Sequence, residues 1–339
     1  MHTSQHILLA GLASDSASKL WGVIEAVGGF VAIVAVIFLI VGRVTGRLEK
    51  PLTIVVCLTP VVLLLIVGLV APAIRTFYLS LHGADIFGPD VHYVGMTNYD
   101  WAFTDPSTRS TLIRTVLWLF VVPIAATGFG LLVALLVDNM KHQSIPKAFI
   151  FMPTAISFVG ASIIWQYVYN YRDPRQPQVG LLSEIVIKLG WKHPPHWILT
   201  SPINTILLMV IMVWIQTGFA MVVLAAALKS IPDEIIEAAR MDGATGYRLF
   251  RSVQVPMIRN TLVVVITTIM IATLKVFDIV YTVTGGNFNT DVLSNAMYTQ
   301  IFTQFNYGRG SALAVILFLA VLPLVAYNVI QMRRERAAR

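Results

Sequence analysis

Few residues in this chain have the types and spacing to do chemistry. Lys275 and Asp278 stand three apart in an otherwise apolar stretch, with Thr273, Phe277 and Tyr281 beside them. On a helix, spacings of three and four share a face, so the sequence predicts Lys275 with Asp278 on one side and Phe277 with Tyr281 together. Two readings follow. The charges form a structural pair or snorkel to an interface, or the group lines a water-filled cavity with donors, acceptors and rings. His193-Pro194-Pro195-His196 comes nearest to a metal-ligand spacing, but its prolines forbid the helix that would put both imidazoles on one face, and a plain turn is expected. There is no Gly-x4-Gly-Lys-Ser/Thr phosphate loop, no Gly-x-Ser-x-Gly elbow and no His–Glu pairing. The expectation is therefore a chain that is not an enzyme, with no catalytic residue, no metal and no cofactor of its own.

The elements that must position these residues are membrane helices. Of the 339 residues 57% are hydrophobic and 12% charged, about half the charge of a soluble domain. The excess is blocky: 51–74, 115–137, 148–171, 197–228 and 310–332 each lack Asp, Glu, Lys and Arg, and each exceeds the roughly 20 helical residues that cross a bilayer. Two weaker blocks, 26–42 and 260–284, bring the expected count to seven spans in an all-α polytopic protein. The 26–42 block is not a signal peptide, because its arginines, Arg43 and Arg47, follow it. Cys57 is the single cysteine, so no intramolecular disulfide forms.

Seven spans put the termini on opposite sides. Segments 43–50, 138–147, 229–259 and 333–339 carry 14 Lys or Arg in 56 residues, whereas 1–25, 75–114, 172–196 and 282–309 carry 9 in 118. The positive-inside rule assigns the first set to the cytoplasm and the N-terminus to the outside. The net charge of +7 then reflects anchors at the membrane lipid surface, and no nucleic-acid partner is expected.

The longest cytoplasmic segment, 229–259, reads as a helical hairpin. Ser230 followed by Asp233 resembles a capping box, Pro232 fits a first turn, and Asp233, Glu234 and Glu237 sit toward the positive end of a helix dipole. Gly243 stops that helix, and a second over 246–254 ends at Pro256 with Leu249, Phe250 and Val253 on one face. Such a hairpin docks another protein, with Leu249 and Phe250 as buried anchors, or lies on lipid headgroups.

Glu237-Ala238-Ala239, Gly243 after three more residues, and Val253-Gln254-Val255-Pro256 after nine more resemble the EAA loop of binding-protein-dependent ABC importer permeases, EAA-x3-G-x9-I-x-LP. Tyr93–Tyr99, Phe277–Gly286 and Asn306–Phe318 are similar to segments of the carbohydrate branch of that family, of the maltose and α-glucoside type. The resemblance covers roughly 50–335. It implies a permease domain over 50–339 with six core helices from 52–74 to 311–331, preceded over 1–49 by an extra helix and a short cytoplasmic turn. It further implies residence in a bacterial cytoplasmic (inner) membrane, a second homologous permease, two ATPase subunits that use ATP and magnesium, and an extracytoplasmic sugar-binding protein. Glu237, Ala238, Ala239, Gly243, Leu249, Phe250 and Pro256 would couple to the ATPase, and Thr273, Lys275, Phe277, Asp278 and Tyr281 would face a sugar, an α-glucoside or other oligosaccharide. The alternative is a secondary transporter, for which Glu25, Lys275 and Asp278 are the available relay groups.

Overall fold

The computed structural model describes residues 49–83, 92–138, 140–173, 175–191 and 193–337, with isolated helical positions between 21 and 39. The helix expected at 26–42 thus lies outside the continuously described residues. The chain divides into two units, Met1–Arg75 and Thr76–Arg339. In the first, α1 (Glu49–Leu65) passes through Pro60 into a π turn at Ile66–Val70. Side chains from Val61 to Val70 are apolar or glycine and all exposed, the pattern of a helix that lipid surrounds.

After α2 (Ala71–Ser80), β1 (His82–Gly83) and β2 (His92–Tyr93) pair antiparallel with Gly83 opposite His92. Then come α3 (Thr97–Thr104), α4 (Pro106–Asp138), α5 (Ser144–Phe151), α6 (Phe158–Val168), α7 (Leu181–Lys188) and α8 (Ile203–Lys229). The remaining helices are α9 (Asp233–Met241), α10 (Gly246–Leu249), α11 (Arg259–Leu274), α12 (Asp278–Thr284), α13 (Leu293–Tyr298) and α14 (Tyr307–Ala337). Asp105 starts α4: its Oδ2 accepts the Thr108 N–H and hydroxyl, both at 2.9 Å, with Pro106 at the first helical position. Those bonds hold its carboxyl below the usual aspartate range.

The core of the second unit is α4 lying along α8. Trp118, Val122 and Ala126 are buried with Leu208, Met212 and Met221. At Gly130 the two backbones come so close that an added Cβ would sit 2.6 Å from Ala220 Cβ, the small-residue approach that replaces hydrophobic drive between helices in lipid. Polar pairs join α11 to α14: the Thr267 hydroxyl donates to Asn328 Oδ1, and Gln331 Nε2 to Asn260 Oδ1 at 3.1 Å. Trp165 of α6 meets Trp214 of α8 edge-on, with centroids 5.7 Å apart.

Among the described residues four helices are long and apolar enough to cross a membrane: Leu58–Ser80, Pro106–Val137, Ile203–Lys229 and Tyr307–Gln331. Two bent pairs raise the number to six where each pair counts as one span. Ser144–Ala155 meets Phe158–Val168 at 104°, and Gly246–Met257 meets Arg259–Leu274 at 73°. The first bend follows Pro153; Ile156 and Ser157 are extended, and Ser157 Oγ then caps α6 by accepting the Gly160 N–H. The four long helices and the first bent pair overlap expected core spans, whereas the second bent pair runs over 246–274 and only partly overlaps the expected 260–284 span; the helix expected at 26–42 lies outside the continuously described residues.

Two sequence expectations are corrected here. The block 260–284 is not one helix, because α11 stops at Leu274 and α12 begins at Asp278. The break is held where the Ser294 hydroxyl donates to the Val276 carbonyl. Nor does the hairpin's second helix end at Pro256: a π turn over Phe250–Gln254 carries the chain through Pro256 to Met257. The Val255 N–H reaches back five residues to the Phe250 carbonyl, and that wider turn accommodates a residue with no N–H of its own.

Candidate functional site

The hairpin is assembled by local rules. Acidic Asp233 and Glu234 occupy the first turn of α9, favourably placed on the dipole. The capping box does not form, since the Ser230 hydroxyl donates to the Ala227 carbonyl and Pro232 takes the cap position without a side-chain bond. At the other end Gly243 has φ +81°, its N–H bonds the Arg240 carbonyl at 2.9 Å, and the Ala244 N–H bonds the Ala239 carbonyl at 2.9 Å. That is a Schellman closure, which a residue with a Cβ fits only with strain. The middle alanine pair of the motif therefore sits where the helix must end.

The two faces of the hairpin differ. Leu249 is 8% exposed and, with Phe250 and Ile236, faces Leu135, Leu228 and Ile231 around a cavity of about 660 Å³. Of the two expected anchors, Leu249 turns onto its own chain and Phe250 is half-buried at the edge of that cavity. Outward stand Glu237, Ala238, Met241 and Tyr247, with Met241 89% and Tyr247 69% exposed. Pro256 is exposed. Met241 lies one turn after Glu237 on the same face, a signal present in the sequence but overlooked beside the apolar cluster at 249–253. At the hairpin's root, Gln143 Oε1 accepts from both Lys147 Nζ at 2.7 Å and Lys229 Nζ at 2.8 Å.

Around the break at 275–277 the predicted residues separate. Thr273 is buried and its hydroxyl donates to the Ile269 carbonyl. Lys275 is exposed and Asp278 half-buried. Because the break puts them on different elements, they do not share a helix face, and among the described residues they form no ion pair. Phe277 and Tyr281 do come together, stacked at 4.9 Å and 21°. Tyr298 adds rings at 4.9 Å from Phe277 and 5.3 Å from Tyr281, and Phe302 follows 4.8 Å beyond Tyr298. A ladder of four rings results, its second half contributed by α13 and the π turn after it; Lys275, Phe277 and Tyr298 border a cavity of about 270 Å³. Tyr298 and Phe302 were legible as an i, i+4 aromatic pair but carried no charge to draw notice. No cluster of three or more metal-ligating side chains exists among the described residues, and His196 packs against Tyr171.

Straight and broken apolar helices around a helical hairpin make this a polytopic α-helical membrane protein. The chain belongs to the family of binding-protein-dependent transport system inner membrane components, which it matches over residues 27–337. It is 43% identical over 281 residues to the osmoprotective compounds uptake permease protein GgtC of Synechocystis sp., covering 83% of this chain and 99% of that one. It is 45% identical over 279 residues to the alpha-glucoside transport system permease protein AglF of Rhizobium meliloti, covering 82% of each. In fold it is similar to a chain of the bacterial alginate ABC transporter crystallised with an alginate pentasaccharide-bound periplasmic protein, at TM-score 0.71, 17% identity and coverage of 85% and 96%. The chain is thus a multi-pass permease subunit of an ABC importer, and family membership displaces the secondary-transporter alternative.

Proposed function

We propose that this permease forms half of the path by which a neutral glycoside, an α-glucoside or a related osmoprotective sugar, crosses the inner membrane. The observation that carries the reading is the ring ladder Tyr281–Phe277–Tyr298–Phe302 with Lys275 and Asp278 at the same helix break. Aromatic faces stack on the apolar face of a pyranose, and an ammonium and a carboxylate supply a donor and an acceptor to its hydroxyls. A broken helix inside a membrane is tolerated where it lines such a cavity. The name of AglF, an alpha-glucoside transport permease, supports the same solute class.

In this reading a second homologous permease supplies the other half of the path, a sugar-binding protein delivers the solute from outside, and a pair of ATPase subunits consumes ATP and magnesium inside. The hairpin at 229–259 seats on an ATPase subunit through Glu237, Met241 and Tyr247, and Gly243 holds the bend. The N-terminus is outside and the C-terminus cytoplasmic, as the arginine and lysine asymmetry indicates.

The test is uptake of radiolabelled maltose and trehalose by the reconstituted transporter. Tyr281→Ala and Tyr298→Ala are expected to cut uptake while ATPase stimulation by the loaded binding protein persists. Uptake unchanged in the Tyr281→Ala/Tyr298→Ala double variant removes the ladder from the path.

A further inference from the structure

A second pocket, sharing no residue with the ladder, opens where the 172–200 loop joins α6 to α8. Its volume is about 320 Å³, at the small end of ligand sites and sized for one sugar ring. Tyr171 and His196 form its aromatic side, with ring centroids 4.0 Å apart and tilted by 54°. Gln166, Asn170 and Trp197 complete the polar wall, and among the described residues that line it none is Asp, Glu, Lys or Arg. A site of rings, amides and an imidazole without fixed charge suits a neutral polyhydroxylated ring and not an anion or a cation.

The wall is pre-organised. Trp197 Nε1 donates to Ser183 Oγ at 2.9 Å, and Ser183 Oγ donates to the Asn170 carbonyl at 3.0 Å. Gly180 lies so close that a Cβ there would meet the Asn170 oxygen at 1.9 Å. Gln178 ties the loop after Tyr171 by donating to the Arg172 carbonyl at 2.9 Å and accepting the Arg172 N–H at 3.1 Å. Gln166 Nε2 is engaged by the Thr282 carbonyl at 2.7 Å. By contrast the Asn170 amide, the Tyr171 hydroxyl and the His196 ring nitrogens have no partner among the described residues. A rigid frame around unspent polar groups is the form of a binding site, because the ordering cost is met before the ligand arrives.

We propose that this pocket is an additional saccharide subsite, which holds one neutral hexopyranosyl ring on Tyr171 and His196, with Asn170 on its hydroxyls, at the outward mouth of the permease. The subsite rests on the saccharide reading and on the outward placement of the 172–196 loop proposed above. Leu199, 50% exposed on the rim, provides the reporter position.

The assembled transporter carrying Cys57→Ser and Leu199→Cys is treated with a membrane-impermeant maleimide in right-side-out and inside-out vesicles, without ATP or binding protein. Glucose, maltose and trehalose are the probes, and mannitol is the open-chain control. The expected result is labelling from outside, slowed by at least one cyclic sugar with a millimolar midpoint and not by mannitol. Asn170→Ala and Tyr171→Ala each raise that midpoint by about tenfold, Tyr171→Phe by less, and Tyr281→Ala not at all. Outside labelling that no ring sugar slows, slowing by mannitol alike, or a midpoint that moves with Tyr281→Ala overturns the subsite and leaves the orientation standing. Labelling from the inner side alone overturns the orientation and the subsite with it. A cysteine unreactive from both sides shows the pocket closed and also overturns the subsite.

Discussion

Gly243 carries a conformation, not a contact. With φ at +81° and nothing within 4 Å of an added Cβ, Gly243→Val is expected to cost roughly 1–2 kcal/mol through backbone strain alone. ATPase activity in the assembled transporter should lose its dependence on the loaded binding protein while subunit assembly survives; unaltered stimulation would remove the turn from coupling. The inward Leu249 and outward Met241 allow a paired experiment. Leu249→Ala should lower stability by about 2–3 kcal/mol, read as thermal melting of the purified chain, because its side chain is buried beside an existing cavity. Met241→Asp should leave melting unchanged and weaken ATPase attachment in pull-down. The opposite assignment would show that the hairpin rotates on assembly.

At the scale of elements, α4 owes its start to one carboxylate. Removing the cap with Asp105→Ala should cost about 1 kcal/mol at neutral pH. Since folding holds the Asp105 carboxyl below its ordinary value, its contribution is complete above the unfolded pKa of about 3.9 and is lost as pH falls through the lower folded value. The melting difference between wild type and Asp105→Ala should accordingly be present at pH 7 and shrink in strong acid. The spans themselves were legible, because 115–137, 197–228 and 310–332 are long uncharged runs that hardly admit another element. The break at 275–277 was not legible: Lys275 and Asp278 at a spacing of three satisfy helix periodicity, and the contact that ties the break, the Ser294 hydroxyl on the Val276 carbonyl, comes from eighteen residues on. The direction of Leu249 was hidden for a related reason. An apolar stripe specifies burial without saying whether its own chain or another covers it. Gly243, whose requirement is local, was read correctly in place.

For the whole molecule, the proposed sidedness rests on the asymmetric distribution of Lys and Arg and would orient every loop at once. Ser252→Cys in the Cys57→Ser background, exposed within the π turn, should react with impermeant maleimide only in inside-out vesicles. Reaction from the outer side would invert the entire arrangement, hairpin included. The apolar helices agree with either sidedness, so this measurement decides what helix geometry leaves open.

The edge-on indoles of Trp165 and Trp214 have an optical consequence. Two indole transition dipoles with centroids 5.7 Å apart and rings at 71° couple as excitons, giving the unlabelled protein a bisignate circular-dichroism band that depends on their mutual angle. One indole rides on the second half of the bent span and the other on the long core helix, so the band is a built-in goniometer for α6 against α8. Trp214→Phe should abolish it. In the intact transporter its amplitude should change between the nucleotide-free and ATP-trapped states if the bent span swings during the cycle, and stay constant if α6 and α8 move as one body.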